Sequence, residues 1–283
     1  MQLFSRANAL AALIILGAIG YTASQMLNPS AKQAAPAATA PPASVPHSKA
    51  LPDFSTYTDV KAKKTAFFGY MLPLVEARNL HIQGQRQQLL AVAERAQDAI
   101  STQNALSNKD TETLADLAGV YRLVDADLSS AELIKELLIR VDTVPPSLAL
   151  AQAAVESGWG TSRFAVQANN LFGQWCYEKG CGLVPSQRNS GANHEVAKFK
   201  NVSDAVYSYT RNINTHRAYK DLRMSRAALR ADDETVTGHI LAEGLLRYSE
   251  RGEDYVHELQ AVIRINKLAP YDEPKAATSK GSI

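Results

Sequence analysis

A clear charge imbalance is what this sequence lacks first. Thirty Lys and Arg stand against 28 Asp and Glu in 283 residues, for a formal net charge of +2. A duplex-binding protein needs a basic excess to displace counterions from phosphates, so nucleic acid is excluded as a partner. Cysteine is almost missing as well, with two in the chain. A structural zinc site needs four ligands, and beside Cys176 and Cys181 only His194 is near in sequence. No Gly-x-Ser-x-Gly elbow exists, and Glu156 precedes Ser157, so a serine hydrolase is a poor reading. There is no internal repeat.

What is present begins at the N-terminus. Arg6 leads into the apolar run Ala9–Ile19 and small residues around Thr22–Ser24, which read as an export signal over residues 1–27. The run is short for a spanning helix and no clean Ala-x-Ala site follows it, so a cleaved signal peptide and a retained anchor at residues 7–24 both stay open. Either way the body of the chain is expected outside the cytoplasm, in the periplasm or facing the wall. Residues 28–50 turn to Pro, Ala, Ser and Thr, lack core-forming side chains, and read as a linker. In an oxidising compartment Cys176 and Cys181 read as a local disulfide, with free thiols and a metal site as the alternatives.

The remainder is mostly helical by its apolar spacing. Helices are expected over Lys61–Leu80 and Arg86–Ala105, with Pro73 kinking or breaking the first, and over Thr113–Leu123. Ser129 and Glu132 form a capping box ahead of another. Pro145-Pro146-Ser147 breaks that helix and offers Ser147 as the cap of the next, Leu148 to about Glu156. This last helix is apolar on every face and belongs inside the fold. A Gly- and Asn-rich stretch with a strand at His194–Phe199 predicts a hairpin lobe. Further helices are expected from Ser203 and over Arg217–Arg230, Thr235–Leu246 and Glu253–Lys267. The length suits one large or two modest domains, divided here as an N-terminal helical region over 51–139, a catalytic domain over 140–272 and a tail over 273–283.

Glu156 is the residue that needs explaining, a carboxylate ending a helix of Leu, Ala and Val, with Trp159 three residues on. Desolvation, the negative end of the helix dipole and the indole each disfavour its ionised form. A carboxyl group that keeps its proton suits glycoside cleavage, where the leaving oxygen must be protonated. The plainer alternative is a salt bridge at a helix end, for instance with Arg163.

The segment Ala151-Gln-Ala-Ala-Val-Glu156-Ser-Gly-Trp-Gly160-Thr-Ser, followed by Asn169-Asn-Leu-Phe-Gly173, resembles the signature of the glycoside hydrolase family 73 N-acetylglucosaminidases, and within it the bacterial Bax-like group. Lys63-Lys64, Phe67, Pro73, Asn79, Arg140-Val-Asp142, Asn214-Thr-His216-x-Ala218-Tyr219 and Tyr248-Ser249 support the likeness. The resemblance implies a mainly α (α+β), lysozyme-like two-lobed fold with a small β-hairpin lobe, here preceded by extra N-terminal helices. It implies cleavage of the β-1,4 bond after N-acetylglucosamine in peptidoglycan glycan strands, without metal or nucleotide cofactor, by a protein expected to be monomeric. Glu156 inherits the general acid role.

A second acid in the hairpin lobe is known for some members, which makes Glu195 a candidate and Glu178 a weaker one. Tyr248 matches a tyrosine that lines the family's cleft, with Tyr255 as its alternative. Trp159, Phe172 and Trp175 are candidates for stacking on sugars, and Asn169 and Asn170 for bonding acetamido groups or for shaping a turn. Two rivals remain. A lytic transglycosylase uses one Glu followed by Ser and leaves an anhydro sugar, although the Gly-Leu-Met-Gln-like segment expected of it is absent. A non-catalytic wall-binding protein would keep the fold alone.

Overall fold

The computed structural model describes residues 50–186 and 194–273. The expected export segment, the linker up to residue 49 and the tail from residue 274 lie outside the described residues. Among those described, no helix is long and apolar enough to cross a membrane.

The chain enters through a 3-10 turn, Phe54–Thr56, capped by the Asp53 carboxylate, which accepts from the Ser55 amide at 2.9 Å. Helix α1 follows, Val60–Ser101, capped by Asp59. The two helices expected over Lys61–Leu80 and Arg86–Ala105 are thus one, and α1 also runs through Pro73 without the expected break. Proline removes a single N–H from the ladder, while Phe67, Phe68, Met71, Leu74, Val75, Ile82, Leu89 and Val92 supply buried apolar surface on both sides of it. At 1.5 Å per residue such a helix is roughly 60 Å long, and it serves two cores. Its first half packs with the central helix, and its second half packs with α2 (Asn108–Val120) and α3 (Ser130–Arg140) around Leu89, Leu117 and Leu137. The first core thus joins residues of α1 to residues from Val144 onward, and the second joins α1 to α2 and α3.

The Ser129–Glu132 capping box forms as expected. Ser147 does not cap the next helix, however. Helix α4 is Pro146–Ser157 with Pro145 at its N-cap, and Ser147 Oγ instead bonds the distant Asp272 carboxylate at 2.5 Å. Asp272 also accepts the amides of Ser147 and Gly238, so a carboxylate from the end of the described chain satisfies donors at the start of α4, the end favoured for negative charge. Ser147 through Ala154 are all buried, which accounts for the apolar character on every face.

After α5 (Arg163–Ala168) come three short strands, β1 (Trp175–Cys176), β2 (Gly182–Leu183) and β3 (Glu195–Ala197). They form an antiparallel sheet in the order β1-β3-β2, with Trp175 opposite Val196 and Gly182 opposite Ala197. The chain then returns to the helical body through α6 (Val202–Thr215), a 3-10 turn at Arg217–Tyr219, and α7 (Lys220–Ala231). The helix expected over Thr235–Leu246 is only α8 (Gly238–Leu241) plus the 3-10 turn Ala242–Leu245, and α9 is Glu253–Ile265. Together these elements make a mainly α, lysozyme-like fold with a small antiparallel sheet and extra N-terminal helices.

One polar node ties the body together. Asp142 is buried and faces Arg86 and Arg226 at 3.7 Å each and Arg230 at 3.1 Å. Arg226 also donates to Asn214 Oδ1 at 2.8 Å and to the Thr143 carbonyl. Burial raises the Asp142 carboxyl, but the surrounding charges of Arg226, Arg86 and Arg230 outweigh it and hold the group below its ordinary value.

Candidate active site

Helix α4 stops on three consecutive left-handed residues, Gly158, Trp159 and Gly160. Ser157 Oγ stitches this turn by donating to the Ala153 carbonyl at 2.6 Å and accepting from the Gly160 amide at 2.8 Å. A side chain at Gly160 would meet the Phe54 ring at 2.4 Å, so the N-terminal 3-10 turn requires glycine there. Left-handed backbone at a residue with a side chain is strained by about 1–2 kcal/mol, and Trp159 keeps it while its ring wedges against Phe67 and Phe68, centroids 5.7 and 5.3 Å away, under the Lys64 ammonium. The indole thus packs on α1.

Glu156, the residue before that turn, is half-buried. Against its carboxyl lies the loop ending at Gly173, where an added Cβ would come within 2.9 Å of Oε2. This loop is built by its asparagines. Asn169 closes α5 in the left-handed conformation and donates to the Phe199 carbonyl. Asn170 donates to the carbonyls of Gln174 and Ala197 and accepts the amides of Phe172 and Gln174, which commits its whole amide group to backbone.

Aromatic rings form the rest of the surroundings. Phe172 stacks on Tyr209 at 4.1 Å, and its carbonyl accepts from the Tyr248 hydroxyl at 2.7 Å. Tyr248 stacks in turn on Tyr255 at 5.5 Å and lies 5.7 Å from Tyr219. The Tyr255 hydroxyl is within hydrogen-bonding reach of the Glu156 carboxyl. Arg251 sits over the Tyr255 ring and pairs with Glu258.

This environment shifts Glu156 toward its protonated form. Burial is the largest effect on Glu156 and raises its pKa; the Glu258 charge adds to it, while the Tyr255 hydroxyl and Arg251 oppose it without cancelling it. Burial likewise raises the tyrosines, Tyr219 to about 12 and Tyr209, Tyr248 and Tyr255 well above their ordinary value. They are therefore neutral phenols at physiological pH, able to donate hydrogen bonds and to wall off water. A carboxyl group that holds its proton unusually long beside an exposed glycine is equipped to protonate a leaving oxygen.

A family model described as glucosaminidase, mannosyl-glycoprotein endo-beta-N-acetylglucosaminidase, matches residues 131–268. Protein bax of Escherichia coli strain K12 is 33% identical over 220 residues, which cover 78% of this chain and 76% of that protein. The chain belongs to the Bax-like glucosaminidase family. No solved structure matches it. The glucosaminidase match makes the C-terminal part a glycoside-hydrolase type of domain, and it contains Glu156 and every side chain placed around it above, while α1 lies outside it.

The hairpin lobe of this Bax-like chain carries the remaining candidates. Glu195 is buried, 5% exposed, and its two carboxylate oxygens accept the amides of Gly180 and Gly182 at 3.0 and 2.8 Å. Cys176 and Cys181 are joined in a disulfide that closes the loop containing Gly180. Their sulfurs lie within 4.8 Å of the Glu195 carboxylate, but being bonded to one another neither is a metal thiolate. Glu178 is exposed. Trp175 is 55% exposed and stacks on His194 at 4.2 Å. Arg163 does not meet Glu156 in a helix-end pair: its guanidinium bonds the Val184 carbonyl and lies over Phe164. A separate cavity of about 420 Å³, lined by Leu123, Leu128, Glu132, Ile139 and Arg140 among others, shares no residue with the Glu156 site.

Sequence reasoning missed Gln152, Tyr209, Tyr219, Arg251 and Glu258. Gln152 could have been found, because it sits four residues before Glu156 on the same helix face.

Proposed function

We propose that this chain is a peptidoglycan hydrolase that cuts the β-1,4 bond after N-acetylglucosamine in glycan strands, with Glu156 as the general acid. The observation that carries this is the Glu156 carboxyl, set at the end of a buried apolar helix, raised by burial, and edged by the exposed Gly173. As the glycosidic C–O bond breaks, the departing oxygen takes the Glu156 proton. Tyr248, Tyr255 and Tyr219 surround the Glu156 carboxyl as uncharged neighbours, and Trp175 offers an exposed face on which a sugar can stack. Asn169, Asn170 and Phe172 shape the Gly173 loop; Trp159 braces α4 against α1. Export through residues 1–27 and tethering through 28–50 fit a substrate outside the cytoplasm.

The second group is read from Glu195. Its carboxylate accepts two backbone amides of the hairpin, and Glu178, the weaker candidate, is exposed on the same lobe. This favours a hydrolytic route in which the acetamido oxygen of the substrate bonds to C1 as the glycosidic oxygen leaves, and water then opens that ring to give the reducing sugar and returns a proton to Glu156. Mass spectrometry of fragments released from isolated wall separates the readings. Reducing N-acetylglucosamine ends support the hydrolase, and 1,6-anhydromuramic ends overturn it.

A further inference from the structure

We propose that Gln152 is a positioning residue for the reaction: held between Tyr209 and Tyr255, it turns the Tyr255 hydroxyl hydrogen onto Glu156 and so fixes how that carboxyl presents its own proton. This rests on the general acid role proposed for Glu156.

Gln152 is fully buried in α4, one turn before Glu156, where an apolar residue would be expected. Its placement follows from counting hydrogens. Tyr209 has one hydroxyl hydrogen and gives it to Gln152 Oε1 at 2.6 Å. The amide nitrogen must then face the other way, where Nε2 donates to the Tyr255 hydroxyl oxygen at 3.1 Å. With that oxygen serving as acceptor, the single Tyr255 hydrogen is left to point at Glu156. If the Gln152 amide were reversed, Tyr255 would donate to Oε1 and the carboxyl would lose its donor. Neither phenol can swing away, because Tyr209 is stacked on Phe172 and Tyr255 on Tyr248.

A carboxyl group that accepts such a hydrogen on one oxygen carries its proton on the other, so the chain from Tyr209 through Gln152 and Tyr255 sets the direction of donation. The same contact stabilises the ionised form and limits how far burial raises the group. The other groups facing Glu156 are Tyr209 from α6, Tyr219 from the 3-10 turn, Tyr248 from the loop before α9, and Arg251 and Glu258 beside Tyr255. None of these differs between the wild type and Gln152→Met or Tyr255→Phe.

The test is a carbon-13 NMR titration of the Glu156 carboxyl, assigned by its disappearance in Glu156→Gln, run beside the pH profile of kcat/KM on isolated peptidoglycan. Gln152→Met and Tyr255→Phe should each move the Glu156 midpoint, and the basic limb of the profile with it, upward by roughly one pH unit, since a hydrogen bond to the charged form is lost. The double variant should move it no further than the larger single effect. An unmoved midpoint in Gln152→Met beside a moved one in Tyr255→Phe would overturn the proposal and leave Gln152 as packing. Should Gln152→Met fail to fold, Tyr209→Phe removes only a hydroxyl and must shift the midpoint in the same direction. The titration does not depend on turnover. A shifted midpoint in a protein that never cuts wall would sink the proposed function but keep the relay, and an unshifted midpoint in an active enzyme would do the reverse.

Discussion

Replacing Gly173 by alanine separates folding from chemistry. The new Cβ would lie 2.9 Å from Glu156 Oε2, closer than real contacts allow, at a residue with φ +61°. The left-handed backbone costs about 1–2 kcal/mol for a residue with a side chain, a fall in melting temperature of roughly 2–8 °C in a protein of this size. The clash itself is relieved cheaply, because the atom struck is the far end of a flexible side chain. That relief moves the Glu156 carboxyl away from its place beside Tyr255, and for the general acid proposed here a misplacement of about 1 Å can cost on the order of 100-fold in rate. Gly173→Ala should therefore remain folded by circular dichroism while its clearing of isolated peptidoglycan, followed by turbidity, drops about 100-fold. Activity within threefold of wild type in a folded variant would refute the placement of Glu156 against this loop.

Asp142→Ala should destabilise the protein by about 3–5 kcal/mol, because it strands the buried Arg226 and its neighbours; chemical denaturation measures this, and a loss under 1 kcal/mol would contradict it. The pH dependence has a definite sign. The folded pKa of Asp142 lies below the unfolded value of about 3.9, so its contribution is complete above that value and disappears as pH falls through the folded one. Asp142→Asn should flatten that acid-side slope. Cys181→Ser opens a short loop whose closure contributes roughly 2 kcal/mol, and the amides of Gly180 and Gly182, which bond Glu195, should exchange about tenfold faster or more. Unchanged protection of those two amides would show that the carboxylate alone holds the hairpin.

The parts of this fold legible in the sequence are those encoded locally. The α4 segment announces its burial by having no polar face, and the Ser129–Glu132 box marks a helix start by two residues three apart. Glu156 is conspicuous for the same reason, a charge where the pattern has none. What stayed hidden depends on distant partners. Pro73 predicts a break that apolar contacts on both sides override, and Ser147 looks like a cap until Asp272, over a hundred residues away, is brought to it. Glu195 has the sequence context of an ordinary strand residue, and only the fold shows two glycine amides on its carboxylate. Tyr209 sits in an apolar stripe and reads as core, which it is, yet its hydroxyl starts the chain of contacts leading to Glu156.

Glu156→Gln bears most directly on the claim that this side chain delivers the proton. The amide keeps the size and can still accept a hydrogen bond, but it cannot act as an acid. A general acid contributes on the order of 100- to 10,000-fold, so release of fragments from isolated peptidoglycan should fall by at least 100-fold, with melting temperature and co-sedimentation with wall unchanged. If Glu156→Gln releases fragments as fast as the wild type, Glu156 is not the acid.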